Sequence, residues 1–345
     1  MERASNIELC RIFSIICVLL VHSAFAYNGW PTNLNETSLG LMLLESFSII
    51  GVNVFVFISG WFSVKLKLKT ILNIVFFCFY YFIVLSLLTI CLSGGGIAYD
   101  SLFFVSKSNW FILDYLGLVL LSPILNKFIE NSGKREFSII LCLLFSYYFW
   151  FGFLPGENVS DFGEGYSIIS FCFIYLLARY LRLYGFNKIF IKFSSYIYVF
   201  LSLLIFVGCY LILFLEYKTY ILIPRWYGLS NPLVILSAIS FFFIFQKQDI
   251  RVSKFINHIS KSCLGILLFH ASYGSKVLVE PYLVKYYNEL CLEENILLVI
   301  INWLWGIFVI FVVAIVIDQI RLYLFTTMYS LIDNKIRSIK SRFFI

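Results

Sequence analysis

Most of this chain consists of apolar runs about twenty residues long, separated by short polar segments, and that pattern leaves few folds open. A run of ~20 apolar residues is what one helix needs to cross the roughly 30 Å hydrocarbon core of a bilayer. In lipid every backbone N–H and C=O must be satisfied within the protein, so only helices and closed barrels span it. Barrel strands alternate apolar and polar residues with a period of two, whereas a run such as Ile71–Leu92 is apolar almost throughout. Charged residues make up 13% of the chain and mean hydropathy is +0.92, against about 25% charged residues in a soluble domain. The sequence therefore predicts an all-α polytopic membrane protein that has the lipid bilayer as a partner.

Windows of this length place ten transmembrane helices, near 9–26, 39–62, 70–92, 110–128, 137–154, 166–184, 194–215, 231–246, 262–282 and 296–320. With both termini cytoplasmic, twenty-one of the 26 basic residues fall on the inner side. Only Lys107, Lys218, Arg225, Lys276 and Lys285 fall outside, and this asymmetry is what the positive-inside rule predicts. Trp30, Trp110, Trp150 and Trp226 fall near outer span ends, where interfacial aromatics gather. The first run lacks a small-residue cleavage site and carries Arg11 and His22, so it is expected to be a retained span and not a leader. Residues 1–321 then form one membrane domain, and 322–345 a basic amphipathic tail on the inner leaflet. No internal repeat is visible, which weighs against a transporter of inverted halves. None of the nine cysteines forms a C-x-x-C pair, so they read as small buried hydrophobes, with no metal site expected. The net charge of +7 reports orientation and does not point to nucleic acid.

Within the first span, Arg11 and His22 stand eleven residues apart. At about 100° and 1.5 Å per residue they lie within roughly 20° of one helical face and about 16 Å apart along it. Charge inside a span costs about 2.5–3.5 kcal/mol and is normally paired or functional. Arg11 fits either a snorkelling anchor or an anion-binding cation, and Glu8 stands in position to pair with it. His22 fits either an interhelical hydrogen bond or a general base. In the second span Glu45 enters near the depth of His22, where a carboxylate can orient an imidazole or stay solvated at the interface. Ser59-Gly60 suits close helix packing. Lys65, Lys67 and Lys69 follow at the inner end, either as a topology signal or as a cationic mouth for a phosphorylated ligand.

Four blocks in order now carry a resemblance. They are Ile7-Glu-Leu-Cys-Arg11 with His22, Gly51-Val-Asn-Val-Phe-Val-Phe-Ile-Ser-Gly-Trp-Phe62, the run from Asn109 through Trp110 and Ser122-Pro-Ile-Leu-Asn126, and Ile259-Ser-Lys-Ser-Cys-Leu-Gly-Ile-Leu-Leu-Phe-His270. Together they resemble the acyltransferase family 3 membrane proteins, and within them the branch that O-acetylates bacterial surface polysaccharides. The resemblance covers most of the chain.

The resemblance implies an acyl-CoA-dependent O-acyltransferase of the bacterial plasma membrane. It would move acetyl from cytoplasmic acetyl-CoA, a co-substrate and not a permanently bound cofactor, to a glycan hydroxyl or its lipid-linked precursor. In that family the arginine goes with the donor and the histidine with catalysis. Donor contacts are then expected from Arg11, Lys65, Lys67, Lys69 and Ser59, with Asn53 or Tyr115 offering oxyanion donors. Trp110, Asp114 and Tyr115 are expected at an acceptor mouth, or in the interfacial belt. His270, near the middle of the ninth span, fits either packing or chemistry. The chain departs from the family where Lys65, Lys67 and Lys69 replace an Arg-x-x-Arg pattern, because lysine lacks bidentate phosphate recognition. It departs again at Leu267, where the family has an aromatic residue. Many relatives carry an extra extracytoplasmic hydrolase-like domain that completes transfer, so the resemblance leaves direct transfer, a separate extracytoplasmic transferase or a homo-oligomer as alternatives. A competing reading is a transporter or flippase for a lipid-linked or anionic solute, which would move solute without consuming a thioester.

Overall fold

The computed structural model of the protein describes residues 4–26, 28–93, 97, 110–154, 163–271, 279, 283–285 and 296–343. The apolar runs fold as helices, and no strand occurs among the described residues. In chain order they are α1 (Ser5–Val21), continued by a π-helical turn His22–Ala26; α2 (Glu36–Ser48); α3 (Gly51–Phe62); α4 (Leu68–Ser93); α5 (Trp110–Asn131); α6 (Lys134–Gly152); and α7 (Ile168–Tyr184). There follow α8 (Lys188–Lys192), α9 (Ser194–Phe214), α10 (Thr219–Trp226), α11 (Pro232–Gln246), α12 (Lys254–Ile259), α13 (Cys263–Ala271) and α14 (Ile296–Phe343).

Among the described residues six helices are long and apolar enough to cross a membrane, where the sequence predicts ten. They are Ser5–Phe25, Glu36–Phe62, Leu68–Leu92, Trp110–Asn131, Ser194–Phe214 and Ile300–Leu331. The predicted spans 137–154, 166–184 and 231–246 appear as α6, α7 and α11, of 19, 17 and 15 residues. Of 262–282, Ser262, α13 and Val279 are described and the rest lies outside the described residues. The predicted single span 39–62 is two helices in line, broken at Ile49–Ile50. Beyond 321, where the tail was expected to begin, α14 continues without a break.

Local chemistry sets several of these boundaries. Asn35, Ser167 and Asn231 accept from backbone N–H groups at the starts of α2, α7 and α11, supplying partners the first helical turn lacks, and Pro232 follows at the position where proline is pre-organised. Pro123 sits inside α5, where it has no N–H for the carbonyl four residues back. That carbonyl belongs to Val119, and Ser122 Oγ donates to it at 2.7 Å. At the end of α3 the chain turns through Ser63, with φ at +60°. Asn126 of α5 holds this turn by donating to Val64 O and accepting from Ser63 Oγ and Tyr175 Oη.

The buried apolar side chains form two clusters that meet along α1 and α3. One is built mainly from α2, α3, α6, α7, α9 and α11, and includes Met42, Phe57, Tyr175 and Phe242. The other gathers α4, α13 and α14 around Ile12, Ile15, Val18 and Leu19 of α1. Two glycines of the second sequence block permit the crossings. A Cβ on Gly51 would stand 2.7 Å from Ser14 O of α1, and one on Gly60 would stand 2.5 Å from Tyr175 O of α7. The small residues Ser59-Gly60 thus allow the close approach expected of such pairs in membranes.

Candidate functional site

A cavity of about 290 Å³ opens between α1, α3, α4, α5 and α13. Its wall from α1 is Arg11, Ile15, Val18 and His22, spaced four, three and four residues apart as one helical face requires. Arg11 and His22 therefore look into the same space. From α3 the wall takes Val52, Phe55 and Ser59, and from α5 Trp110, Phe111, Ile112 and Tyr115.

At the Arg11 end the guanidinium is held by Glu8. Arg11 Nη1 lies 3.2 and 3.1 Å from the two carboxylate oxygens, and Glu8 is 5% exposed. The other Arg11 N–H groups make no hydrogen bond among the described residues. Thr70, Asn73, Ser260 and Lys261 share this cavity. Lys65, Lys67 and Lys69 do not line it; all three are exposed, and Lys69 Nζ lies 4.5 Å from the ring centre of Tyr329. The lysine that lines the cavity is Lys261, one of the inner-side basic residues. Its place in the cavity is legible only once the turn Ser260–Ser262, ahead of α13, is set against α1.

At the His22 end the ring is fixed by its own helix. His22 Nδ1 lies 2.8 Å from Val18 O, and a carbonyl can only accept, so a neutral His22 carries its proton on Nδ1 and its lone pair on Nε2. Behind it lies His270, fully buried, with Nε2 3.3 Å from His22 Nδ1 and ring centres 5.1 Å apart. Its Nδ1 lies 2.6 Å from Ile266 O, repeating on α13 the arrangement seen on α1.

Glu45 does not orient His22. The carboxylate is 1% exposed, and neither oxygen has a hydrogen-bond partner among the described residues. Matching depth was not enough, because α2 turns Glu45 into the other cluster, near Tyr227 and Cys209. Asn53 is likewise committed elsewhere, donating to Leu229 O at 3.0 Å. The cavity face of α3 is 52, 55 and 59, and position 53 lies about 100° off the first of these. Ser59 donates to Phe55 O at 3.0 Å, so in its 3.3 Å contact with Tyr115 Oη it is the tyrosine that donates. Of the three expected acceptor residues, Trp110 and Tyr115 line the cavity and Asp114 does not. His258 is exposed on α12, and no group of three His, Cys, Asp or Glu among the described residues could hold a metal.

Arg321 closes an apolar run, where a cytoplasmic flank charge would stand, and the structure buries it at 1% exposure. It bonds Asp318 through Nε at 2.6 Å and Nη2 at 3.1 Å, and lies over the Phe77 ring. It also donates to Asn73 Oδ1 at 3.3 Å, and both Asn73 and Phe77 line the cavity. An acid and a base three residues apart, closing an apolar run, were the available signal.

The fold and cavity describe a helical membrane protein with a cation and an imidazole at two ends of one internal space. Residues 5–318 match the family model of an acyltransferase domain. The chain belongs to the acyltransferase family 3 membrane proteins, and is a multi-pass membrane acyltransferase. Neither the curated proteins nor the solved structures include a match to it.

Proposed function

We propose that this protein is a membrane O-acetyltransferase that takes acetyl from cytoplasmic acetyl-CoA and passes it to a hydroxyl of a bacterial surface polysaccharide or its lipid-linked precursor. One observation carries the reading: Arg11 and His22 line the same cavity. Their rise of about 16 Å along α1 is of the order of the pantetheine arm. An anionic nucleotide at Arg11 and Lys261 therefore brings the thioester toward His22. In this arrangement the protein spans the bacterial plasma membrane ten times with both termini cytoplasmic. The Arg11 end of the cavity then faces the acetyl-CoA pool, and the exposed lysines 65, 67 and 69 lie at its approach. Trp110 and Tyr115 meet the acceptor at the other end. A separate extracytoplasmic transferase is not needed for this step.

The chemistry assigned to His22 balances. Nε2 takes the proton of the acceptor hydroxyl as its oxygen bonds to the thioester carbonyl carbon. The C–S bond then breaks, and the departing thiolate recovers the proton from Nε2–H. General-base assistance of this kind is worth about 10²–10⁴ in rate. His22→Ala and Arg11→Ala are each expected to abolish acetylation of the surface glycan, read by mass spectrometry, while the variants accumulate in the membrane at wild-type levels. Acetylation retained in either variant removes that residue from the mechanism. Transfer of label from acetyl-CoA in proteoliposomes separates this reading from a transporter.

A further inference from the structure

We propose that His270 is a positioning residue for acyl transfer: from α13 it presents a hydrogen-bond acceptor to the Nδ1–H of His22, the role a carboxylate plays in a catalytic triad. The proposal rests on the reading of His22 as the base. The direction of the contact follows from the two backbone carbonyls. Ile266 O, 2.6 Å from His270 Nδ1, requires a proton on that nitrogen. A neutral His270 ring therefore carries its lone pair on Nε2, the atom that faces His22 Nδ1 at 3.3 Å. The reverse arrangement needs a lone pair on His22 Nδ1. That lone pair would face the lone pairs of Val18 O at 2.8 Å, a repulsive contact. So the His22 proton is shared between Val18 O and His270 Nε2, and the His22 lone pair is kept on Nε2.

This contact strengthens as the reaction proceeds. When His22 takes the acceptor's proton it becomes an imidazolium, and hydrogen bonds from a charged donor are roughly twice as strong as neutral ones. Interactions stronger in the charged intermediate than in the resting state are the ones that accelerate chemistry. A neutral imidazole supplies this support without adding net charge to the helix bundle. On α13, Leu264, Leu267, Leu268 and Ala271 face the cavity while His270 stands behind them, fully buried. A packing role alone would be met by a leucine or methionine at this position.

The test compares His270→Gln with His270→Met, two side chains of similar length of which only glutamine can accept. Full-length protein in nanodiscs is assayed for transfer of labelled acetyl from acetyl-CoA to glycan isolated from cells lacking the protein. The expected result is a fall in kcat of at least about tenfold for His270→Met, with KM for acetyl-CoA unchanged, and near wild-type kcat for His270→Gln. If His270→Met fails to accumulate, His270→Phe serves as the apolar variant. Equal losses in the glutamine and apolar variants, or wild-type kcat in both, overturn the proposal. An inactive His22→Ala beside wild-type kcat in both His270 variants removes only this inference. Activity in His22→Ala removes the reading of His22 and this proposal with it.

Discussion

The two faces of α1 look onto different interiors. On one side Ile15, Val18 and His22 border a cavity whose polar lining comes from at least four helices. On the other, Ile7, Cys10 and Phe25 are packed into an interior filled by Met42, Phe57, Tyr175 and Phe242. Both sides bury polar groups, and the contrast lies in the charged ones. Next to the cavity, Asp318, Arg321, Asn73 and Tyr81 satisfy one another. In the packed half Glu45 is buried with neither oxygen hydrogen-bonded among the described residues. Low dielectric makes a satisfied network strong and an orphan costly. The difference teaches that burial of a charge and access to an open space are separate properties of this bundle.

Substitutions can break or sharpen that comparison. The largest stability effect is expected for Asp318→Ala, which leaves Arg321 buried without its ion-pair partner and costs about 3–5 kcal/mol. It should show as a steep fall in the melting temperature of the solubilised protein. Next, Gly60→Val forces a Cβ against Tyr175 O, with a loss of about 1–3 kcal/mol and an unchanged KM for acetyl-CoA in whatever protein folds. Glu45→Leu should go the other way, raising stability by about 1–3 kcal/mol by removing an unpartnered polar group. Loss of turnover in Glu45→Leu at normal folding would bring the packed half into the chemistry and end the distinction drawn here. The smallest effects concern the lysines. Lys261→Ala should raise KM for acetyl-CoA several-fold, as loss of one charge-assisted contact does, whereas Lys65→Ala, Lys67→Ala and Lys69→Ala should each change it by less. The reverse ranking would move the donor mouth from the cavity edge to the exposed segment before α4.

Much of the candidate site's geometry was legible in the sequence, and the misplaced residues share one cause. The Arg11–His22 face follows from the helical period alone, and α1 is regular from Ser5 to Val21, so the prediction held in three dimensions. Glu8 was placed against Arg11 by the same rule. Glu45 was matched to His22 by depth along the membrane normal, which says nothing about rotation around the helix axis. Asn53 failed for the same reason, since α3 buries side chains on both of its faces and the sequence does not mark which one meets the cavity. Arg321 read as a flank charge because it closes an apolar run, and only its neighbours on α4 reveal that it is buried.

The sequence by itself determined the class of fold, because continuous apolar runs leave lipid-exposed backbone no alternative to the helix. It also determined the spacing of the two groups on α1, which depends on nothing beyond eleven residues of regular helix, and it carried the ordered blocks that place the chain in its family. Only the tertiary structure decided which partners those groups meet. His270 stands 248 residues from His22 in the chain, and Asn73 stands 248 from Arg321. Helices buried on most sides carry little periodicity to fix their rotation, so contacts at such separations follow from how glycines and side chains interlock and not from any local pattern.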